Sequence, residues 1–177
     1  MAGEVAFEAF CLATHARLLR QLTAMTADPE RAKDVLQEAY ARAWVHWGRV
    51  STLDEPEAWV RRVAWRLAVS QHRRSVTLAR LLPRFRVDVE VRPVPVDEVL
   101  DVQHALRQLT PEQRRALVLF HVVGMSVEAI AAETGATTGT VKSRLFRGRA
   151  AMAARLGPEY QAAKQQHRLA TKERSHE

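Results

Sequence analysis

The stretch that most constrains the fold of this 177-residue chain runs from residue 121 to residue 156. Ser126 is a suitable N-cap for a first helix, and Gly135 ends that helix because glycine accepts positive φ at little steric cost. Thr137 can cap a second helix, in which apolar or small residues recur every three or four positions: Val141, Leu145, Gly148 and Met152. Two short helices, a glycine turn and a basic second helix are typical of a helix-turn-helix.

The second of these helices has an outer face that suits DNA. At about 100° per residue, Val141 and Leu145 lie together, whereas Phe146 and Arg147 lie on the far side with Lys142 at its edge. An outward phenylalanine among basic residues is a poor surface for a merely solvated helix. In a major groove it can meet a thymine methyl, while Arg bridges guanine O6 and N7. We therefore expect DNA binding.

Basic residues are concentrated in two parts of the chain. The whole chain has 27 basic and 20 acidic residues, a net charge of +7. Residues 59–87 contain eight arginines and no acid, and residues 134–158 contain five basic residues and no acid, which leaves 14 basic and 20 acidic residues elsewhere. Two basic surfaces on an acidic body are expected for two contacts with one polyanion.

Helical spacing predicts an all-α N-terminal part. A first apolar stripe consists of Phe7, Cys11, Thr14, Leu18 and Leu22. Asp28-Pro29 begins a second helix, with Asp as the cap and Pro at the first helical position. Its outer face is predicted to hold Asp34 and Glu38, with Gln37 beside them. Residues 48–54 are expected to form a loop.

A third helix is predicted from Glu55-Pro56 to about Arg74. Its inner side is expected to consist of Val60, Val63 and Leu67. Trp65 would then lie among arginines on the exposed side, as in a base-stacking platform on a phosphate-binding surface. The alternative is a tryptophan packed against a neighbouring helix.

Prolines divide the chain into two small helical domains. Pro83, Pro93 and Pro95 exclude regular helix around them, which predicts an extended linker over 76–96. Helical pattern resumes at Asp97, with a stripe of Val99, Val102, Leu106 and Leu109, and Thr110-Pro111-Glu112-Gln113 is a complete capping box. The predicted domains are 1–75 and 97–157, followed by a polar tail, 158–177, of frayed helix or disorder.

Several classes of function are not expected. Cys11 is the single cysteine, so no internal disulfide forms, and Cys11 with His15 lacks the further ligands of a metal site; a buried free thiol is the preferred interpretation. No apolar run is long enough to span a membrane and no signal peptide is present. We expect a cytoplasmic protein without metal, cofactor, catalytic residues or membrane insertion.

The order of these elements resembles sigma factors of the extracytoplasmic-function (ECF) type, small bacterial initiation factors that keep only regions two and four. The resemblance covers residues 7–74 and 97–156. It is strongest in GTVKSRLFRGR (139–149), with LTPEQRRALVL (109–119), DVLQEAYARAW (34–44) and DEPEAWVRRVA (54–64) close behind.

The resemblance implies three binding surfaces. Core RNA polymerase, through its β′ and β subunits, would be bound by Asp34, Gln37, Glu38 and Arg42. The minus-ten element and strand opening would fall to Arg49, Leu53, Asp54, Trp59, Arg61, Arg62, Trp65, Arg66 and Arg73. The minus-thirty-five element would be read by Thr138, Thr140, Lys142, Ser143, Arg144, Phe146, Arg147 and Arg149. The resemblance also implies promoter DNA as a binding partner and an anti-sigma factor as the regulator.

The chain departs from the common family pattern at two positions, and other classes of protein contain a similar motif. Arg66 stands where many members have Asn, and Ser70 where they have Asp, so the family's minus-ten preferences are not carried over. A LuxR or response-regulator type of transcriptional regulator would need a sensing domain. A serine recombinase would need an α/β domain with a nucleophilic serine near its start, but the first serine here is Ser51.

Overall fold

A computed structural model describes the main chain of residues 2–81 and 98–173, and the side chains of residues 3–71 and 102–156. The chain forms two compact units, 1–95 and 96–177. Every element described in either unit is an α-helix, which confirms the all-α prediction.

The first unit contains four helices: α1 (Ala2–Thr26), α2 (Pro29–Val45), α3 (Trp47–Val50) and α4 (Pro56–Leu81). Asp28 caps α2 as predicted, because its carboxylate accepts a hydrogen bond from the Arg31 amide at 3.0 Å. The predicted loop over 48–54 is wrong in its first part, since residues 48–50 belong to the short helix α3. The predicted linker is wrong over 76–81, since α4 continues through those residues. The chain has no proline between Pro56 and Pro83 to stop it.

The core of this unit lies where α1, α2 and α4 pack together. Leu18 and Leu22 of α1 are fully buried, as the first apolar stripe predicts, and so is Met25, which that stripe did not include. Leu36 of α2 and Val60 of α4 are buried as well, together with several alanines. Alanines allow the three helix axes to approach closely, and burial of the larger side chains stabilises the unit by roughly 1.5–3 kcal/mol each.

Aromatic side chains fix the other end of α1 against α2 and α3. The Phe7 ring centroid lies 5.1 Å from those of Trp44 and Trp47. The hydroxyls of Tyr40 and Thr14 are hydrogen-bonded at 2.8 Å, and burial raises the pKa of Tyr40 to about 12. The structure therefore keeps Tyr40 neutral inside the bundle.

The second unit contains α5 (Glu98–Arg107), α6 (Pro111–His121), α7 (Val127–Thr134) and α8 (Thr138–Glu173). The capping box is confirmed, because Thr110 Oγ1 accepts from the Gln113 amide and Gln113 Oε1 accepts from the Thr110 amide. The core of the second unit includes Ala105, Leu109, Leu117, Leu119, Ile130, Val141 and Leu145.

Two expectations for this unit are corrected. Val102 is exposed rather than buried, because the buried side of α5 contains Ala105; Leu109, which follows the helix, is buried as predicted. The tail expected to fray or to be disordered continues α8 in helical form as far as Glu173. Val99 lies outside the residues whose side chains are described.

Candidate nucleic-acid and polymerase interfaces

The helix-turn-helix consists of α7, the turn at Gly135, and the start of α8. Ser126 Oγ accepts from the Ala129 amide at 3.1 Å, and Thr137 Oγ1 accepts from the Thr140 amide at 3.2 Å, so both helices begin at the predicted caps. Gly135 has φ 66°, a left-handed conformation that glycine adopts without the steric cost of a β-carbon. The local sequence thus sets where each helix starts and stops.

The first turns of α8 present the predicted face to solvent. Phe146 is 74% exposed, and Lys142 and Arg147 are exposed beside it. Val141 and Leu145 are buried on the opposite side. The remaining candidates for reading the minus-thirty-five element are Thr138 and Thr140, which are exposed, and Ser143 and Arg144, which are half-buried.

Two contacts hold this face in place relative to α6. Gly148 of α8 lies against Leu117, where a β-carbon would meet Leu117 Cδ1 at 3.0 Å. Glu133 of α7, 3% exposed in its side chain, forms an ion pair with Arg115 of α6 at 3.4 Å. Together they join α6, α7 and α8 into one support. The buried ion pair was not anticipated from the sequence, because its two residues are 18 positions apart.

Arg149 is held by two aromatic residues at the end of α6. Its Nε donates a hydrogen bond to His121 Nε2 at 3.2 Å. Its guanidinium carbon lies 5.0 Å from the centroid of the Phe120 ring. Sequence reasoning selected Arg149 but missed Phe120 and His121. No periodic signal could have found them, since they lie on a different helix.

The outer face of α2 displays the residues expected to meet polymerase. Asp34, Gln37, Glu38 and Arg42 are all exposed. Arg42 Nε donates to Glu38 Oε1 at 2.9 Å, one helical turn away. Both side chains of this ion pair are exposed, so the pair contributes little to the free energy of unfolding. The face is therefore available to a partner, with two carboxylates and one guanidinium at fixed spacing.

Two residues assigned to the outer side of α4 are buried instead. Trp65 is 8% exposed and Arg61 is 5% exposed. The prediction of an exposed tryptophan platform at position 65 is wrong, and the core alternative is right. The prediction was based on the large apolar residues of α4. Because α4 packs against both α1 and α2, its buried side contains the small residues Ala58, Ala64 and Ala68. Val63 and Leu67 are only half-buried.

Other candidates near the start of α4 remain accessible. Arg66 is exposed, and Trp59 and Arg62 are half-buried on the same side of the helix, at spacings of three and four. In the preceding turn, Arg49 and Asp54 are exposed and Leu53 is half-buried. The turn is closed by hydrogen bonds from the Thr52 hydroxyl to Arg49 O and from the Leu53 amide to Val50 O. The side chain of Arg73 lies outside the described residues.

The described residues offer neither a metal-binding cluster nor a membrane-spanning helix. Within the described parts of the chain, no three His, Cys, Asp or Glu side chains cluster as a metal site would require. Cys11 is half-buried, and burial raises the pKa of its thiol. None of the described helices is both long and apolar enough to cross a bilayer.

A capped helix-turn-helix with a basic outer face on its second helix is typical of DNA-binding proteins. Two family models match the chain: "Sigma-70 region 2" over residues 12–91 and "Sigma-70, region 4" over residues 100–152. The chain is 34% identical to the RNA polymerase sigma-E factor of Streptomyces coelicolor, over 82% of this chain and 83% of that protein. It is 31% identical to the ECF RNA polymerase sigma factor SigC of Mycobacterium tuberculosis, over 87% and 85% of the two chains.

The fold is similar to that of the sigma factor RpoE from Bartonella quintana, solved in complex with the anti-sigma factor NepR. The TM-score is 0.70 at 24% identity, over 83% of this chain and 94% of that one. The chain belongs to the ECF family of RNA polymerase sigma factors, and its class is that of promoter-recognising initiation factors.

Proposed function

We propose that the two units divide the work of promoter recognition, with residues 97–157 binding the upstream duplex and residues 1–75 binding polymerase and the strand being opened. The observation that supports this most directly is the recognition helix, in which Phe146 is 74% exposed between Lys142 and Arg147. An apolar ring displayed among cations on a helix whose other side is buried matches the mixed chemistry of a major groove.

In the upstream duplex, Arg147 reads a base edge while Lys142 and Arg149 bind the backbone. A bidentate Arg–guanine contact is worth about 1–3 kcal/mol of discrimination between bases. Contacts to phosphate set the register and make binding dependent on salt, but they do not select a sequence. Thr138, Thr140, Ser143 and Arg144 complete the surface that faces the minus-thirty-five element.

Core polymerase is bound through the outer face of α2. Asp34 and Glu38 are exposed one helical turn apart, and neither belongs to the buried core. Two carboxylates at this spacing suit a basic helical surface on the β′ subunit. Gln37 and Arg42 flank them and set the orientation of docking.

Strand opening is assigned to Trp59, with Arg62 and Arg66 on the same side of α4, and to the turn that contains Arg49, Leu53 and Asp54. Separation of bases costs on the order of 1.4 kcal/mol per base-pair step. Stacking of a base on an aromatic ring returns about 1–3 kcal/mol. One accessible tryptophan can therefore shift a marginal equilibrium toward the open strand, and Trp59 is better placed for this than the buried Trp65.

The protein itself catalyses no reaction in this proposal. Docked on polymerase, it binds opened promoter more tightly than closed promoter, which shifts the population toward the open form. No cofactor or metal takes part. The chain acts in the bacterial cytoplasm, and an anti-sigma factor controls its access to polymerase. The complex of the similar Bartonella quintana fold with NepR supports a regulator of this kind.

In vitro transcription with core polymerase tests the proposal. The full-length protein should direct initiation at a small set of promoters, and mapping of the start sites should yield two shared sequence elements upstream at fixed spacing. If the protein binds duplex DNA but neither co-elutes with core polymerase nor stimulates initiation, the sigma assignment fails. That outcome would favour the alternative class, a helix-turn-helix transcriptional regulator of the LuxR or response-regulator type.

A further inference from the structure

Arg149 lies at the edge of the side of α8 that faces outward. It follows Lys142 by seven residues, or two helical turns, so the two side chains leave the helix in nearly the same direction. Unlike Lys142, which is exposed, Arg149 is half-buried. The difference arises because the last two residues of α6, Phe120 and His121, lie against it.

The contacts on Arg149 use only part of its guanidinium group. The Nε–H is donated to His121 Nε2 at 3.2 Å, and the guanidinium carbon lies over the Phe120 ring, 5.0 Å from its centroid. The rings of Phe120 and His121 are themselves 5.0 Å apart in an edge-to-face arrangement. The four N–H donors on the two terminal nitrogens are not required by either contact, and they are the donors that match an anionic oxygen pair.

We propose that Phe120 and His121 position Arg149 to bind one backbone phosphate at the flank of the upstream promoter element. This inference rests on the proposed function, because it requires the outer side of α8 to face promoter duplex. Charge-assisted hydrogen bonds from guanidinium to phosphate are among the strongest that a side chain forms. A side chain already fixed in place loses less conformational entropy when the complex forms, which strengthens binding without any further contact.

His121 acts through an acceptor and not through a positive charge. Its Nε2 accepts the hydrogen bond that Arg149 Nε donates. A glutamine at this position places an amide oxygen close to where Nε2 stands. A leucine has similar bulk but no acceptor. Since His121 is exposed, both substitutions leave the core untouched.

The first experiment measures affinity for a promoter duplex that ends before the melted region, with full-length protein on core polymerase, over a range of salt concentrations. Arg149→Ala should lower the salt slope by about one. His121→Leu should leave the slope unchanged but weaken binding about two- to tenfold for every sequence tested. His121→Gln should restore wild-type affinity. Arg155→Ala removes an exposed charge on another side of α8 and should bind as wild type.

The second experiment locates the phosphate. Single neutral methylphosphonates are placed in turn along the duplex, and one position should weaken wild-type binding while having no effect on Arg149→Ala. At that position His121→Leu should show a reduced effect. In the Arg149→Ala background, His121→Leu should have no further effect, because His121 acts only through the arginine.

Each failure points to a different step. If wild-type holoenzyme shows no preference for any upstream sequence, the proposed function itself fails before any variant is compared. If Arg149→Ala keeps the wild-type salt slope and affinity, the proposal that Arg149 binds a phosphate is wrong. If His121→Leu binds as wild type, or still weakens binding when Arg149 is absent, the positioning role is wrong while the phosphate contact stands.

Discussion

Gly148 of α8 and Leu117 of α6 lie so close together that a β-carbon at position 148 would stand 3.0 Å from Leu117 Cδ1 and 3.2 Å from Cγ. At this contact the recognition helix packs tightly against α6. A β-carbon here would require Leu117 to shift, which gives a reason for a helix-destabilising glycine within a long helix.

The first prediction follows from this contact. Gly148→Val should destabilise the second unit by about 1–3 kcal/mol, because the added carbons must displace Leu117. Gly139→Ala is the control, since its β-carbon would lie 3.9 Å from Thr137 Oγ1, an ordinary contact, and alanine favours helix by up to about 1 kcal/mol. Far-UV circular dichroism during urea unfolding measures both units. Tryptophan fluorescence reports the first unit alone, because all four tryptophans lie at residues 44–65. Equal stability of Gly148→Val and wild type would contradict the interpretation.

The second prediction concerns the ion pair that joins α6 to α7. Glu133→Ala leaves Arg115 buried without this carboxylate, which should cost about 3 kcal/mol of unfolding free energy in the second unit. The double variant Arg115→Met with Glu133→Leu should recover most of that loss, because neither member of the pair is then left as a buried charge without the other. Fluorescence of the first unit should be unaffected by either change. A Glu133→Ala variant as stable as wild type would show that the pair contributes nothing.

The third prediction concerns polymerase. Asp34→Arg with Glu38→Arg should abolish co-elution with core polymerase, because it reverses the charge of the exposed face of α2 while leaving its buried side intact. The matched control is Glu4→Arg with Glu8→Arg, which makes the same change in net charge at the same spacing on α1. The control should co-elute. Loss of binding in both double variants would point to net charge in place of a docking face.

The fourth prediction separates the two tryptophans of α4. Trp65→Ala should destabilise the first unit by about 3–5 kcal/mol, because it leaves a cavity where a buried ring stood. Trp59→Ala should leave upstream duplex binding near normal but lower the permanganate reactivity of thymines in the bubble. A pre-melted template should rescue its transcription. If Trp59→Ala opens linear promoter as well as wild type does, stacking at this position plays no part.

The fifth prediction concerns sequence reading. Arg147→Ala should relax the preference at one or two upstream positions, with a loss of about 1–3 kcal/mol of discrimination. Arg149→Ala should instead weaken binding uniformly, because it contacts the backbone. Selection from a randomised upstream element, with polymerase present, measures both profiles. A profile for Arg147→Ala identical to that of wild type would remove the base-reading role.

Local chemistry made the helix ends predictable. The caps at Asp28, Thr110, Ser126 and Gly135 are all found where the sequence places them. A cap depends on hydrogen bonds within three or four residues, or on the φ of one residue, so no distant contact is needed to form it. The outward position of Phe146 was predicted from the helical period, because Val141 and Leu145, which that period places on the opposite side, are buried.

Long-range packing decided what the sequence could not. Whether Trp65 and Arg61 face inward depends on α4 being enclosed by two helices, a relationship that the period of α4 alone does not contain. The contacts of Phe120 and His121 with Arg149 join residues 29 and 28 positions apart, and they form because α6 packs against α8. The sequence by itself determined the helix caps at Asp28, Thr110, Ser126 and Gly135 and the exposed face of the recognition helix. The tertiary structure alone decided which side chains of α4 are buried and which neighbours position Arg149, because these depend on the distance between helix axes.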